Sequence, residues 1–148
     1  MGREVIEVDW SEYVGRTYLF WTPHPWLALK AEYLFERFKR EGLTAQMELD
    51  THRFPLGIKL FHPSGWSASL TTTYWNQDVK LESSRSGRDD FWTVNAGISY
   101  RLLKRYGFIM LDTINLFNKR FNYFDIDTQN PIIEPARTVF FRVMLALP

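Results

Sequence analysis

Three histidines, His24, His52 and His62, are the side chains here best suited to metal binding or proton transfer. A zinc centre needs several ligands brought to one point, often from one face at short spacing. These three lie in separate turns or loops without a partner four positions away, so turn and rim packing is their expected role. Asp125-Ile-Asp127 begins like a calcium loop. It lacks the glycine at the sixth position and the glutamate at the twelfth that give such a loop its sharp turn and bidentate ligand. Solvated loop acids are expected instead. The run from Phe117 to Phe124 mixes bases with aromatics, as single-strand nucleic-acid sites do. At the end of a membrane strand the same mixture is an interfacial belt with snorkelling cations, and that reading is preferred. Serine, histidine and aspartate occur without a strand-turn nucleophile motif, so no hydrolase chemistry is expected. No catalytic residue, metal ligand or cofactor is assigned, and the chain is not expected to be an enzyme.

The elements that carry these residues are more informative. From Phe91 to Leu102, Trp92, Val94, Ala96, Ile98, Tyr100 and Leu102 alternate with Thr93, Asn95, Gly97, Ser99 and Arg101. A period of two held this long predicts a strand with one oily and one polar side, long enough to cross a bilayer at a tilt. The terminal run repeats it, with Val139, Phe141, Val143, Leu145 and Leu147 against Thr138, Phe140, Arg142, Met144 and Ala146. In a soluble sandwich or barrel the oily face turns inward. In an outer-membrane barrel it meets lipid and the polar face lines the lumen.

Along the chain, residues 4 to 10 give a short strand candidate and Ser11 to Gly15 a turn. Arg16 to Thr22 is a strand with no clear inward face, ended by Pro23-His-Pro-Trp26 because proline cannot donate to a ladder. From Leu27 to Phe38, Leu27, Leu29, Ala31, Tyr33 and Phe35 oppose Ala28, Lys30, Glu32, Leu34 and Glu36. The segment is rich in helix formers, but its period of two outweighs a helical reading. Lys39 begins a loop. The next strand lies within Thr44 to Phe61, broken near Arg53-Phe-Pro55, and His62 to Gly65 has turn chemistry. Trp66, Ala68, Leu70, Thr72 and Tyr74 then alternate with Ser67, Ser69, Thr71, Thr73 and Trp75. That Ser/Thr row is too small and polar for a sandwich core and suits a lumen. Gln77 to Asp90 reads as a hydrophilic loop.

Connections therefore alternate in expected length. Pro23–Trp26, His62–Gly65 and Leu103–Gly107 are tight, whereas Lys39–Arg53, Val79–Asp90 and Asn118–Ala136 are long and charged. Short turns on one rim and long loops on the other are the habit of outer-membrane barrels. The 148 residues suffice for one domain, the net charge of +1 implies no polyelectrolyte partner, and no cysteine is present. Six Trp, seven Tyr and twelve Phe suit strands that end in two aromatic belts. No run approaches the apolar length of a transmembrane helix. The start lacks the apolar core of a signal peptide, so a mature chain or a piece of a larger one is expected.

From Phe91 onward the chain resembles the C-terminal strands of a TonB-dependent outer-membrane receptor. Phe91-Trp92, Tyr100-Arg101-Leu102, the stretch Asn115-Leu116-Phe117-Asn118 on the penultimate strand, and the closing strand after Pro135-Ala-Arg137 carry the resemblance. Leu49-Asp-Thr-His52 through Gly65 is similar in style. The chain departs from the family in ending Ala146-Leu147-Pro148 rather than on an aromatic residue, and in containing no plug domain or energy-coupling box. The resemblance implies part of the wall of a transporter for iron chelates, cobalamin or similar solutes in a bacterial outer membrane. Its partners would be outer-membrane lipid, the rest of the barrel with its plug, and a small solute met through the long loops, with no nucleic acid and no cofactor.

The expected fold is an all-β, antiparallel up-and-down meander of about seven or eight long strands, forming or belonging to a transmembrane barrel. Trp92, Val94, Ile98, Tyr100, Phe141, Val143 and Leu145 are expected to face lipid, and Lys30, Glu32, Arg101, Asp112 and Arg142 the lumen. A register pairing Leu116 with Thr138 would set Asp112 opposite Arg142. Residues 4 to 10 could supply an eighth, closing strand, but their acids on both faces favour a fragment of a larger wall. A stand-alone small barrel acting as adhesin or ligand binder, and a soluble calycin-like barrel holding an apolar ligand, are the other readings.

Overall fold

A computed structural model describes residues 9–41, 47–81, 86–102, 106–120 and 136–146. Seven strands follow in chain order: β1 (Asp9–His24), β2 (Leu27–Glu41), β3 (Met47–Phe61), β4 (Trp66–Leu81), β5 (Ser86–Arg101), β6 (Gly107–Ile114) and β7 (Thr138–Leu145). They form one sheet in the order β1-β2-β3-β4-β5-β6-β7, every neighbour antiparallel. The all-β antiparallel meander is thus as expected. The sheet is open: β1 and β7 are both edges, and because an odd number of antiparallel strands separates their starts, the two run in the same direction.

Most strands are longer than their sequence suggests, and the reasons are physical. Ser11–Gly15 is not a turn but part of β1, since each of these residues has a register partner on β2, from Ser11 against Lys39 to Gly15 against Phe35. Asp9 and Trp10, the end of the strand candidate at residues 4 to 10, belong to β1, and residues 4–8 lie outside the described residues. Lys39 to Glu41 continue β2 rather than beginning a loop. Pro55 does not break β3. It pairs with Thr73 on β4, and only the β2–β3 register is interrupted, between Ala31 against Leu56 and Leu34 against Arg53. A proline lacks one donor and so can fail only one of its two neighbours.

Gln77–Leu81 and Ser86–Asp90, expected as loop, complete β4 and β5, where Gln77 opposes Asp89 and Asp78 opposes Arg88. The connections between β2 and β3 and between β4 and β5 therefore shrink to residues 42–46 and 82–85, and the sorting of loop lengths does not hold. Only the β6–β7 connection is long. Asn115, Leu116 and Phe117 lie just past β6 in a turn, not on the strand.

The short turns have the chemistry expected of them. His62 N–H donates to the Trp66 carbonyl at 2.7 Å, and Gly65, at φ 98°, supplies the left-handed position. Gly107 opens β6 at φ 141°, and its carbonyl accepts from the Leu102 N–H at 2.9 Å.

Candidate functional site: the two faces of the sheet

Cross-strand partners share a face, so the register sorts every side chain. Leu27, Leu29, Ala31 and Tyr33 of β2 stand beside Leu60, Ile58, Leu56 and Phe54 of β3, then Ala68, Leu70, Thr72 and Tyr74 of β4, then Ile98, Ala96, Val94 and Trp92 of β5. Ile109 and Leu111 of β6 and Val139, Phe141, Val143 and Leu145 of β7 continue this face. It carries no charged side chain over this span and it is the open face. Trp92 and Val143 are 52% and Ile98 46% exposed, while Phe141 and Leu145 are more exposed still and Val94 and Tyr100 are half-buried.

Across β3–β5 the opposite face is polar and enclosed, whereas at the sheet's edges it carries exposed Tyr18 and Phe20 on β1 and Phe108, Phe140 and Met144 on β6 and β7. Thr93 is 1%, Gln77 2% and Thr73 9% exposed, although no second layer packs on them among the described residues. A single sheet that shields one face in this way curls toward it.

Aromatic rows bound the open apolar face. Tyr33, Phe54, Tyr74 and Trp92 lie side by side across β2–β5, with ring centroids 4.7, 6.1 and 5.1 Å apart in turn. Toward the short turns, Trp66 and Tyr100 pair at 4.8 Å, with Trp26 beside His62 at 6.4 Å. Trp92 and Tyr100 are eight positions apart, about 27 Å along a strand and about 20 Å along the normal of a sheet tilted by roughly 40°. Belts of this kind flank an apolar band about 25 Å tall in transmembrane barrels.

Beyond the Tyr33–Trp92 row the open face turns from apolar to charged, and the enclosed face, after one more polar row of Glu36, Thr51, Gln77 and Asp89, turns apolar. On the open face Arg37, Asp50, Asp78 and Arg88 stand in one register row, and Lys39, Glu48 and Lys80 in the next. Arg37 grips Asp50 through two hydrogen bonds of 2.7 and 2.8 Å, and Glu48 lies 3.5 Å from Lys39 and 3.9 Å from Lys80. On the enclosed face the same stretch packs Phe38, Leu49 and Val79 together, with Met47 against them, and stacks Trp75 on Phe91 at 5.8 Å.

Short of that row the enclosed face is a hydrogen-bonded polar lining. Glu32, almost buried, accepts from Arg16 Nε and lies against Lys30 Nζ, each at 2.5 Å. Arg16 and Lys30 also stand over the rings of Tyr18 and Phe20. Ser67 and Ser99 meet at 2.6 Å. At the row itself the Trp75 indole donates to Thr93 at 3.2 Å, and just past it Gln77 donates to Thr51 at 3.1 Å, so the polar lining runs a little beyond the aromatic row. Lys30, Glu32, Arg101, Asp112 and Arg142 all lie on this face.

Asp112 and Arg142 form their ion pair, but in a different register: Ile114, not Leu116, opposes Thr138, so Arg142 reaches diagonally from beside Met110. Both groups are accessible to solvent, and such a pair contributes within about 1 kcal/mol. Gly97 makes room for it, since a Cβ there would sit 2.6 Å from Asp112 Oδ1. Sequence reasoning missed Arg16, because β1 shows no clean alternation and its face is set only by its pairing with Lys30, Glu32 and Leu34.

The histidines are separate. His62 Nδ1 bonds Ser64 Oγ at 2.6 Å, His24 Nδ1 accepts from Trp26 N–H at 3.3 Å, and His52 Nδ1 meets the Tyr33 hydroxyl at 2.9 Å. No group of three His, Asp or Glu side chains suited to a metal ion occurs among the described residues, and Asp125 and Asp127 lie outside them. Asn115 and Asn118 adopt left-handed backbone at φ 49° and 52°, a conformation asparagine tolerates. The Asn115 side chain both donates to the Lys119 carbonyl and accepts from its N–H, each at 2.9 Å. Asn118 Oδ1 accepts from Arg137 N–H at 3.1 Å, which ties the start of the β6–β7 connection to its end. Phe117 is exposed at the same turn.

Comparison with protein-family models, curated proteins and solved structures gives no match for this chain.

Proposed function

We propose that this chain is a stretch of outer-membrane barrel wall of the TonB-dependent receptor kind, contributing to uptake of an iron chelate, cobalamin or similar solute. One observation carries the bilayer part of this reading: the open face of the sheet is apolar between two aromatic rows, and the enclosed face between them is polar across β3–β5. A soluble calycin-like barrel needs the reverse, with Trp92 and Ile98 inside. The receptor part rests on the residues of the resemblance, Phe91-Trp92, Tyr100-Arg101-Leu102 and Asn115 to Phe117. The partners proposed are outer-membrane lipid, further barrel strands and a plug.

The open edges support a fragment of a wall over a stand-alone barrel. In hydrocarbon an unpaired strand edge leaves backbone groups unsatisfied at several kcal/mol each. Because β1 and β7 run the same way, antiparallel closure requires an odd number of additional strands. Trp92 tests the bilayer reading. In vesicles with brominated acyl chains, the folded chain should lose fluorescence that the Trp92→Phe variant does not, and quenching by aqueous iodide alone would sink the proposal. In the same sample, amides of β1 and β7 should exchange faster than those of β3 and β4. Equal, slow exchange in all seven strands would instead point to a self-contained barrel.

A further inference from the structure

The reversal of polarity along β2–β5 fixes where this wall leaves the bilayer. We infer that the hydrocarbon boundary crosses these strands at the Tyr33–Phe54–Tyr74–Trp92 row, and that the sheet beyond it stands in water. The inference rests on the bilayer reading above and adds a position and an extent to it.

Short of the row, the open face offers hydrocarbon only apolar, aromatic and threonine side chains, from Leu27 on β2 to Tyr100 on β5. Past it come Arg37, Asp50, Asp78 and Arg88, and then Lys39, Glu48 and Lys80, on the same face of the same strands. Charged side chains on the lipid face of a barrel are tolerated near the interface and strongly disfavoured at depth. Two successive rows of them therefore exclude the band from continuing.

The enclosed face answers in kind. Past one more polar row, which holds the buried Thr51 and Gln77, the inside gives way to Phe38, Leu49 and Val79 beside the outer ion pairs, and the last two are 2% and 1% exposed. An apolar cluster inside and ion pairs outside is the pattern of a sheet that faces water. One continuous set of strands thus serves two solvents in succession. Lys80 lies six positions past Tyr74, so the part in water reaches about 20 Å along the strand. Leu49 and Val79, being buried, act as packing for this rim and not as a solute-binding surface.

The absence of cysteine allows single-site labelling. Nitroxides placed by Ile58→Cys, Leu70→Cys, Asp78→Cys and Arg88→Cys in the bilayer-folded chain would be relaxed by oxygen and by a water-soluble nickel chelate. Labels at 58 and 70 should favour oxygen, and labels at 78 and 88 the chelate by severalfold. Oxygen preference at all four sites would overturn the boundary while leaving the bilayer reading intact. Chelate preference at all four would overturn both.

Discussion

Ile58→Arg is expected to destabilise the folded chain in bilayers by about 2–4 kcal/mol, the cost of a cation near mid-depth on a lipid-facing strand. Ile58 stands on the open face between Leu29 and Leu70, midway between the two aromatic rows. The same substitution at an exposed position in water changes stability by only about 0.5 kcal/mol. Asn76→Arg, on the same face but just beyond the Tyr74 row, should fall in that smaller range. Urea titration of the bilayer-folded variants measures both. Near-equal, small costs for the two substitutions would refute a lipid-facing band, and near-equal large ones would extend it past the aromatic row.

Gly107→Ala is expected to unpair the β6–β7 hairpin. A Cβ on Gly107 would fall 1.8 Å from the Met144 carbonyl oxygen and 3.0 Å from Leu145 Cα, and both neighbours are backbone. Backbone at φ 141° is strained for any side chain, which alone costs about 1–3 kcal/mol. Overpacking adds about 1–3 kcal/mol more. Together these should exceed about 3 kcal/mol and appear as loss of slow amide exchange from Phe108 to Ile114 and from Thr138 to Leu145. Gly57→Ala is the comparison, because its Cβ would meet nothing closer than Thr71 Oγ1 at 3.4 Å, an ordinary contact. Intact protection of β6 and β7 in the Gly107 variant would show that the hairpin can open around the methyl group.

The alternation of Trp92, Val94, Ile98 and Tyr100 against Thr93, Asn95 and Ser99 was legible in the sequence, because a period of two depends only on which side each residue takes. Strand length was not. Gln77–Lys80 and Ser86–Asp90 look like loop because their outward residues become charged, and linear sequence does not reveal the ladder between them. The reversal itself was visible in principle: Gln77 and Val79 alternate with Asp78 and Lys80 as regularly as Ser69 and Thr71 with Leu70 and Thr72. Reading that stretch as loop made two connections look long and lent loop sorting a weight that the structure removes. The Asp112–Arg142 pair was found from its shared face, while its register was missed by two residues because Asn115 leaves the strand early. Arg16 became part of the Glu32 cluster only through the pairing of β1.

Seven, as an odd number, has a consequence for sidedness. Asp9 starts β1 at the rim reached by the end of β2, and Leu145 ends β7 at the rim of the short turns. Sequence attached ahead of Asp9 and sequence attached behind Leu145 therefore leave from opposite ends of the strands. On the proposed outer-membrane reading the two attachments have different addresses: of two epitopes, one fused before β1 and one after β7, only one would be stained on intact cells, and the other only once the envelope is opened.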